Sequence, residues 1–416
     1  MDKIEILGGR RLLGEVVIGG AKNAALPALF ACLLTEEECA LTKVPHLRDI
    51  HSALAVLQAM GARCDMQGDC VTVQAERICS QDVRYELVKT MRASVLTLGP
   101  LLARFGRATV SLPGGCAIGA RPVNVHIDGL RQMGAEIRLD NGNIVAEAGR
   151  LRGAHLTLPM PTVTGTENLM MAAALADGET IIENAAREPE IADLAAFLNH
   201  MGADIVGAES GVIQIRGVSE LHGATHQILS DRIEAGTYLC ATAACGGEVR
   251  LLGALAAHLQ DLLHKLQEAG VQVEEEEGSL RICAEGRLRA VNAETAPYPG
   301  FPTDLQAQWM AVSCTAEGTA VISENVFENR FMHAPELIRM GAHIELQRNT
   351  AVVRGVGQLR GAPLMATDLR ASASLVIAAL AARGKTTLSR VYHLDRGYEL
   401  MEEKLRALGA DARRVP

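Results

Sequence analysis

The chain has 416 residues, 48% of them hydrophobic and only 3% aromatic, and 40 Lys and Arg against 49 Asp and Glu leave a formal charge of −9. These values exclude a disordered chain and a nucleic-acid protein held by an overall basic face, and they imply two or three domains with cores of Ala, Leu, Val, Ile and Met. No basic segment followed by an apolar run opens the chain, its apolar stretches fall short of the roughly 20 residues of a membrane span, and its ten cysteines form no Cys-x-x-Cys pair. The sequence therefore predicts a soluble cytoplasmic protein with reduced thiols, no metal centre, no cofactor and no nucleic-acid or membrane partner.

Along the chain one signal recurs. The tripeptides Met60-Gly61-Ala62, Met133-Gly134-Ala135, Met201-Gly202-Ala203, Ala269-Gly270-Val271, Met340-Gly341-Ala342 and Leu408-Gly409-Ala410 are separated, glycine to glycine, by 73, 68, 68, 71 and 68 residues. Each glycine closes an amphipathic run, as at a helix C-terminus, and is followed by an alternating segment that predicts a β-hairpin, such as Ala342 to Gln347 and Thr350 to Gly355. An Ala-rich helix, apolar on nearly all sides, begins 37 to 41 residues before each glycine, near Asn23, Ser94, Gly165, Asp231, Asp304 and Asp368. Such helices belong inside a domain. Six units of about 70 residues, each a buried helix, a short strand, an outer helix and a hairpin, fit two α/β domains of three units better than a solenoid.

The loop from Ser111 to His126, with Pro and three Gly around Cys116, has no counterpart in a core element. A thiol there, near Arg121 and His126, would have a depressed pKa and could donate or accept a proton; as a plain turn, Cys116 would only fill space. Cys32, Cys240, Cys245 and Cys314 fall in apolar context and are expected to be inert. Lys22 and Asn23 open the first buried helix, where free N–H groups suit a phosphate, or where Asn23 caps and Lys22 snorkels. Arg92 and Arg121 would add bidentate anion ligands. Ser230-Asp231, Thr303-Asp304 and Thr367-Asp368 each open a buried helix, so capping is their ordinary role; one copy could serve as a base, and the spacing does not say which. Polar segments at 183–190, 323–330 and 390–399 follow strands in the third, fifth and sixth units. Walker A, Gly-x-Gly-x-x-Gly, His-Glu-x-x-His and Gly-x-Ser-x-Gly sequences are absent.

Taken in order, Gly20-Ala-Lys-Asn-Ala24, Met91-Arg-Ala-Ser94, Leu112-Pro-Gly-Gly-Cys-Ala-Ile-Gly-Ala-Arg-Pro122, Glu183-Asn-Ala-Ala-Arg-Glu-Pro-Glu190, Phe301-Pro-Thr-Asp304, Phe327-Glu-Asn-Arg-Phe-Met-His333 and Asp395-Arg-Gly-Tyr398 resemble the enolpyruvyl transferase family over essentially the whole chain. The resemblance implies an inside-out α/β barrel, six βαβαββ repeats in two pseudo-threefold domains, one of residues 1–21 and 230–416 and one of 22–229 carrying the Cys loop at 111–126. It also implies transfer of enolpyruvate from phosphoenolpyruvate to the 3-hydroxyl of UDP-N-acetylglucosamine with release of phosphate, the first committed step of peptidoglycan synthesis.

Carried over by position, the resemblance makes Cys116 the general acid and the residue that fosfomycin alkylates. Lys22, Arg121 and Arg396 become ligands of the phosphoenolpyruvate phosphate and carboxylate, with Arg92 beside them, and Asp304 becomes the residue near the 3-hydroxyl. Asn23, Arg121, Pro122, Val123, Asn124, Val125, Thr162 and Val326 line the UDP-sugar. Met160 stands where the family often carries Lys, and Thr162-Val-Thr-Gly165 departs from the more usual Ser-Val-Gly-Ala. The same fold with 3-phosphoshikimate as acceptor is the alternative, and a non-catalytic UDP-sugar-binding protein is a second one.

Overall fold

All six landmark glycines take left-handed backbone conformations, with φ from +90° at Gly409 to +109° at Gly61. At Gly61 this geometry lets the chain turn back, so that the Gly61 and Ala62 N–H groups bond the Gln58 and Leu57 carbonyls at the end of the helix Arg48–Met60. An L side chain there would be strained. The computed structural model describes residues 2–83, 85–88, 91–112 and 123–416, without the side chains of residues 87, 88 and 92. Cys116, Arg121 and Pro122 lie outside the described residues.

The chain folds as two units, each with its own apolar core: residues 20–112 and 123–229 form one, residues 2–19 and 230–416 the other. The first crossing falls between Gly19 and Gly20, where the sequence reading set it after residue 21. Each unit carries three four-stranded mixed sheets. In every sheet a strand at one edge runs parallel to its neighbour and the remaining pairings are antiparallel, as in Thr225–Gln227, Glu38–Thr42, Cys70–Gln74 and Arg63–Gln67. Strands such as Val212–Arg216 alternate buried and exposed residues, so each sheet has one wet face and one face on the core.

The helices inside are apolar on nearly all sides, as expected: Lys22–Ala31, Leu98–Phe105 and Val163–Ala173 in one unit, Arg232–Cys245, Gln306–Ser313 and Leu369–Ala381 in the other. In the latter the three pack against one another. This is an α/β architecture with helices at the centre and sheets outside, in keeping with an inside-out barrel. Among the described residues, no helix is long and apolar enough to cross a membrane.

Two features of the topology depart from a simple sixfold repeat. The last unit has only one arm of its hairpin, Asp411–Val415, and the other arm is the N-terminal strand Lys3–Leu7, which also pairs with Lys385–Ser389. The strands that lead into the two crossings are also exchanged. Leu12–Val17 pairs with Gly247–Leu252, although the helix that follows it belongs to the other unit, and Thr225–Gln227 likewise pairs with Glu38–Thr42. Pairing between segments this far apart leaves no mark in local periodicity. The helices expected at Ser94 and Asp304 also begin differently, with the 3-10 turns Arg92–Thr97 and Thr303–Leu305. In the first case Pro100 falls in the first turn of Leu98–Phe105, where a missing N–H costs least.

Ile6 is 1% exposed and sits in the strand that joins the two ends of the second unit. The single tryptophan, Trp309, lies in the same core. Ile6→Ala is expected to cost that unit about 2–4 kcal/mol. Equilibrium denaturation followed by tryptophan fluorescence reads this directly, and an unshifted midpoint would contradict the role given to the terminal strand.

Candidate active site

The three Asp residues that open buried helices do different work. Asp231 caps its helix, its Oδ1 accepting the N–H groups of Ile233 and Glu234 at 2.8 and 3.0 Å, and Asp368 does the same for Arg370 and Ala371 at 2.9 and 3.0 Å. Asp304 lies inside a 3-10 turn, and its carboxylate turns to two guanidinium groups instead. Arg330 Nη2 donates to Oδ1, while Arg370 donates through Nε (3.1 Å) and Nη2 (2.9 Å) to Oδ2. The side chains of Arg330 and Arg370 are 5% and 4% exposed, that of Asp304 24%. A carboxylate at the surface is thus gripped from beneath by two buried cations. Burial disfavours the charge on Arg370, and Asp304, Tyr398 and Asp231 together more than restore it, so its pKa is raised.

Around this pair the polar groups are ordered in depth. Arg330 Nη1 also donates to Thr303 Oγ1, which donates to Glu324 Oε2 at 2.8 Å, and Glu324 Oε1 accepts the N–H groups of Val326 and Phe327. Buried Glu324 therefore fixes the backbone at Val326, which is itself partly buried. Arg396 ends the 3-10 turn Val391–Arg396 and is half-buried. Its neighbour Asp395 accepts both Nη groups of Arg414, at 3.0 and 2.6 Å.

In the other unit Lys22 is the first residue of its helix and is buried, not snorkelling; its Nζ lies 3.3 Å from Asp49 Oδ2. Asn23 is partly buried inside the helix, and Ala21 occupies the cap position, so the expected Asn cap is not formed. Arg92 begins a 3-10 turn. Val123 precedes the helix Asn124–Gln132, Asn124 is exposed, and Val125 is buried. Thr162 caps the helix Val163–Ala173 by accepting Gly165 N–H at 3.4 Å. A side chain at Gly165 would collide with both Thr162 and Val125, so the structure brings these two candidate residues together.

His126 does not meet its expectation. It is 4% exposed and bonded through Nδ1 to Asn168, which in turn accepts Gly99 N–H. Burial pushes its pKa down to about 4, so at neutral pH it is uncharged and supplies no cation to a thiol. Cys32, Cys240 and Cys314 are buried and Cys245 half-buried, as expected of inert thiols, and burial raises the pKa of Cys245 and Cys314 to about 12.

Several residues of the Asp304 cluster, above all Arg370, Gln308 and Thr237, were not singled out in the sequence. The available signal was a charged or amide side chain inside an otherwise apolar helix, as at Arg370 in Leu369–Ala381. Asp49 gave no comparable signal, because an acidic residue in the first turn of an outer helix is ordinary.

With this geometry in hand, comparison with known proteins places the chain in a class. A family model described as EPSP synthase (3-phosphoshikimate 1-carboxyvinyltransferase) matches residues 6–405, and the chain belongs to this family of enolpyruvyl transferases. Among solved structures it is similar to the enolpyruvyl transferase NikO from Streptomyces tendae, at 27% identity and a TM-score of 0.90, over 100% of this chain and 99% of that one. EPSP synthase from Acinetobacter baumannii shares the fold at 19% identity, with a TM-score of 0.79 over the full length of both chains.

Neutral burial of His126 makes a pH prediction. Its folded pKa of about 4 lies below the ordinary value near 6.5, so the unfolded state binds the extra proton between these limits. The stability associated with neutral His126 is present above pH 6.5 and is lost as pH falls toward 4, by about 3 kcal/mol at most. Hydrogen exchange of the helix Asn124–Gln132 from pH 7 to 4.5 is expected to show this loss, and His126→Asn to flatten it. An unchanged pH dependence in the variant would contradict the assignment.

Proposed function

We propose that the chain transfers enolpyruvate from phosphoenolpyruvate to the 3-hydroxyl of UDP-N-acetylglucosamine, the activity of a UDP-N-acetylglucosamine 1-carboxyvinyltransferase, in the first committed step of peptidoglycan synthesis. The observation that carries the reading is Asp304: alone among the three repeated Asp residues, it is spared from capping and directed to two buried arginines. The Cys116 loop favours the nucleotide-sugar acceptor. The description of the matching family model favours 3-phosphoshikimate, which stays as the second reading.

In this reading Cys116 protonates the methylene carbon of phosphoenolpyruvate, which makes the neighbouring carbon electrophilic. The acceptor oxygen forms its bond to that carbon and gives up its proton toward Asp304. A carboxylate with both oxygens engaged by guanidinium groups is a weak base, but attack on an activated carbon asks only for a weak one. The Cys116 thiolate takes back a methyl proton as phosphate departs, which restores the double bond. Lys22, Arg92, Arg121 and Arg396 hold the phosphate and carboxylate, and the Asp49 pair fixes the ammonium of Lys22. Asn23, Val123, Asn124, Val125, Thr162 and Val326 with Arg121 and Pro122 receive the UDP-sugar. A non-catalytic sugar-binding role would leave a reactive thiol without purpose.

Phosphate release from phosphoenolpyruvate, measured with UDP-N-acetylglucosamine and separately with 3-phosphoshikimate, tests the proposal. Release with the nucleotide sugar alone, blocked by fosfomycin and lost in Cys116→Ala, is expected, with partial drug-resistant activity in Cys116→Asp. Asp304→Asn is expected to lower kcat at least about 100-fold. Release with 3-phosphoshikimate alone would install the second reading, and bound UDP-sugar without turnover would favour the binding protein.

A further inference from the structure

Tyr398 is 2% exposed, so its hydroxyl is shut away from any substrate, yet that hydroxyl touches all three core helices of its unit. It lies 2.9 Å from Thr237 Oγ1, 3.2 Å from Gln308 Nε2 and 3.3 Å from Arg370 Nη1. The hydrogens can be followed one by one. The Thr237 hydroxyl gives its proton to the Ile233 carbonyl at 2.7 Å, so Thr237 Oγ1 must accept from Tyr398. The phenol oxygen is then left with its lone pairs for Gln308 and for Arg370. Gln308 Nε2 gives one hydrogen to the main-chain carbonyl of Asp304 at 2.9 Å and shares the other between Tyr398 and Thr237 Oγ1, each at 3.2 Å.

The phenol group thus holds Asp304 by two routes. One runs through Gln308 to its backbone, the other through Arg370 to its carboxylate. We propose that Tyr398 is a positioning residue for Asp304: its buried hydroxyl fixes one end of the Arg370 guanidinium so that Nε and Nη2 at the other end hold the carboxylate in the orientation the acceptor hydroxyl requires. This rests on the reading of Asp304 as the group that receives the acceptor proton. The position calls for a neutral oxygen. A second carboxylate at this point would draw Arg370 away from Asp304, whereas a phenol accepts its N–H without competing for charge. Burial raises the pKa of Tyr398, which keeps the phenol protonated and able to donate to Thr237.

The ring does separate work, lying 5.6 Å from the Arg370 guanidinium carbon. Tyr398→Phe keeps this stacking and the packing and deletes only the hydroxyl. The charged groups around the pair are Arg330 and Arg370 on the carboxylate, Asp231 near Arg370 and Tyr398, and Glu324 behind Thr303. All of them remain in the variant.

The test compares wild type, Tyr398→Phe and Asp304→Asn. Turnover of phosphoenolpyruvate with UDP-N-acetylglucosamine is expected to fall on the order of 10- to 100-fold in kcat in Tyr398→Phe, through misplacement of the carboxylate. KM for either substrate should change less than about threefold. The carboxyl resonance of Asp304, observed in protein made with isotopically labelled aspartate and assigned by its absence in Asp304→Asn, should titrate at higher pH in Tyr398→Phe, because a loosened Arg370 stabilises the charged form less. An unchanged resonance with unchanged kcat would overturn the proposal, as would a rise in KM alone. If wild type turns over no acceptor, the functional reading fails, and the titration still decides whether Tyr398 governs Asp304. Thr237→Val, which keeps the phenol but removes the acceptor of its proton along with the Thr237 bonds to Ile233 and Gln308, serves with the same expectations at smaller amplitude if Tyr398→Phe does not fold.

Discussion

A helix buried on every side must still satisfy the N–H groups of its first turn, and much of this molecule follows from the different ways its core helices meet that demand. Thr162, Asp231 and Asp368 answer it with side-chain caps. The helix after Thr303 tightens into a 3-10 turn, which frees Asp304 to face outward while Gln308 holds its carbonyl from within. Because Thr237, Gln308 and Arg370 all lie in the first two turns of their helices, the polar ends of three otherwise apolar elements come together at one place in the unit. The site is built where the fold has to be polar anyway.

The electrostatics have a similar economy. The chain as a whole carries a charge of −9, yet at Asp304 two buried guanidinium groups share one carboxylate. Such an arrangement favours an arriving anion without a basic surface, and burial of the cations strengthens their field. It also explains why Arg is used here and Lys is not: Arg370 spreads its donors over the carboxylate and the phenol at once, which a single ammonium on a flexible stem could not hold in a fixed geometry.

Much of this was legible in the sequence, because the signals were local and repeated. The glycines at the ends of the outer helices, the all-apolar inner helices and the hairpin at 343–354 depend on backbone conformation and burial within a few residues of one another. The spacing names Asp304 only as one of three candidates, and the resemblance alone singles it out, since the physical reason rests on Arg330 and Arg370, which are distant in the chain. The bland alternative for Asn23, a helix cap, and the charge expected of His126 fail for the same reason. A polar residue near a helix start looks like a cap, and a His near a Cys looks like a charge, until burial and partners are known. The strand exchange at the crossings was invisible, because alternating residues specify a face and not a partner.

The placement of Lys3–Leu7 has a consequence for how the chain is made. The unit of residues 20–229 draws its strands from a nearly continuous stretch and can assemble while the remainder is still being synthesised. The other unit cannot. Its strand Lys3–Leu7 is made before the whole of the other unit and then waits, both edges unpaired, until Lys385–Ser389 and Asp411–Val415 emerge. The unit that carries Asp304 thus becomes whole after the other, once Asp411–Val415 has emerged.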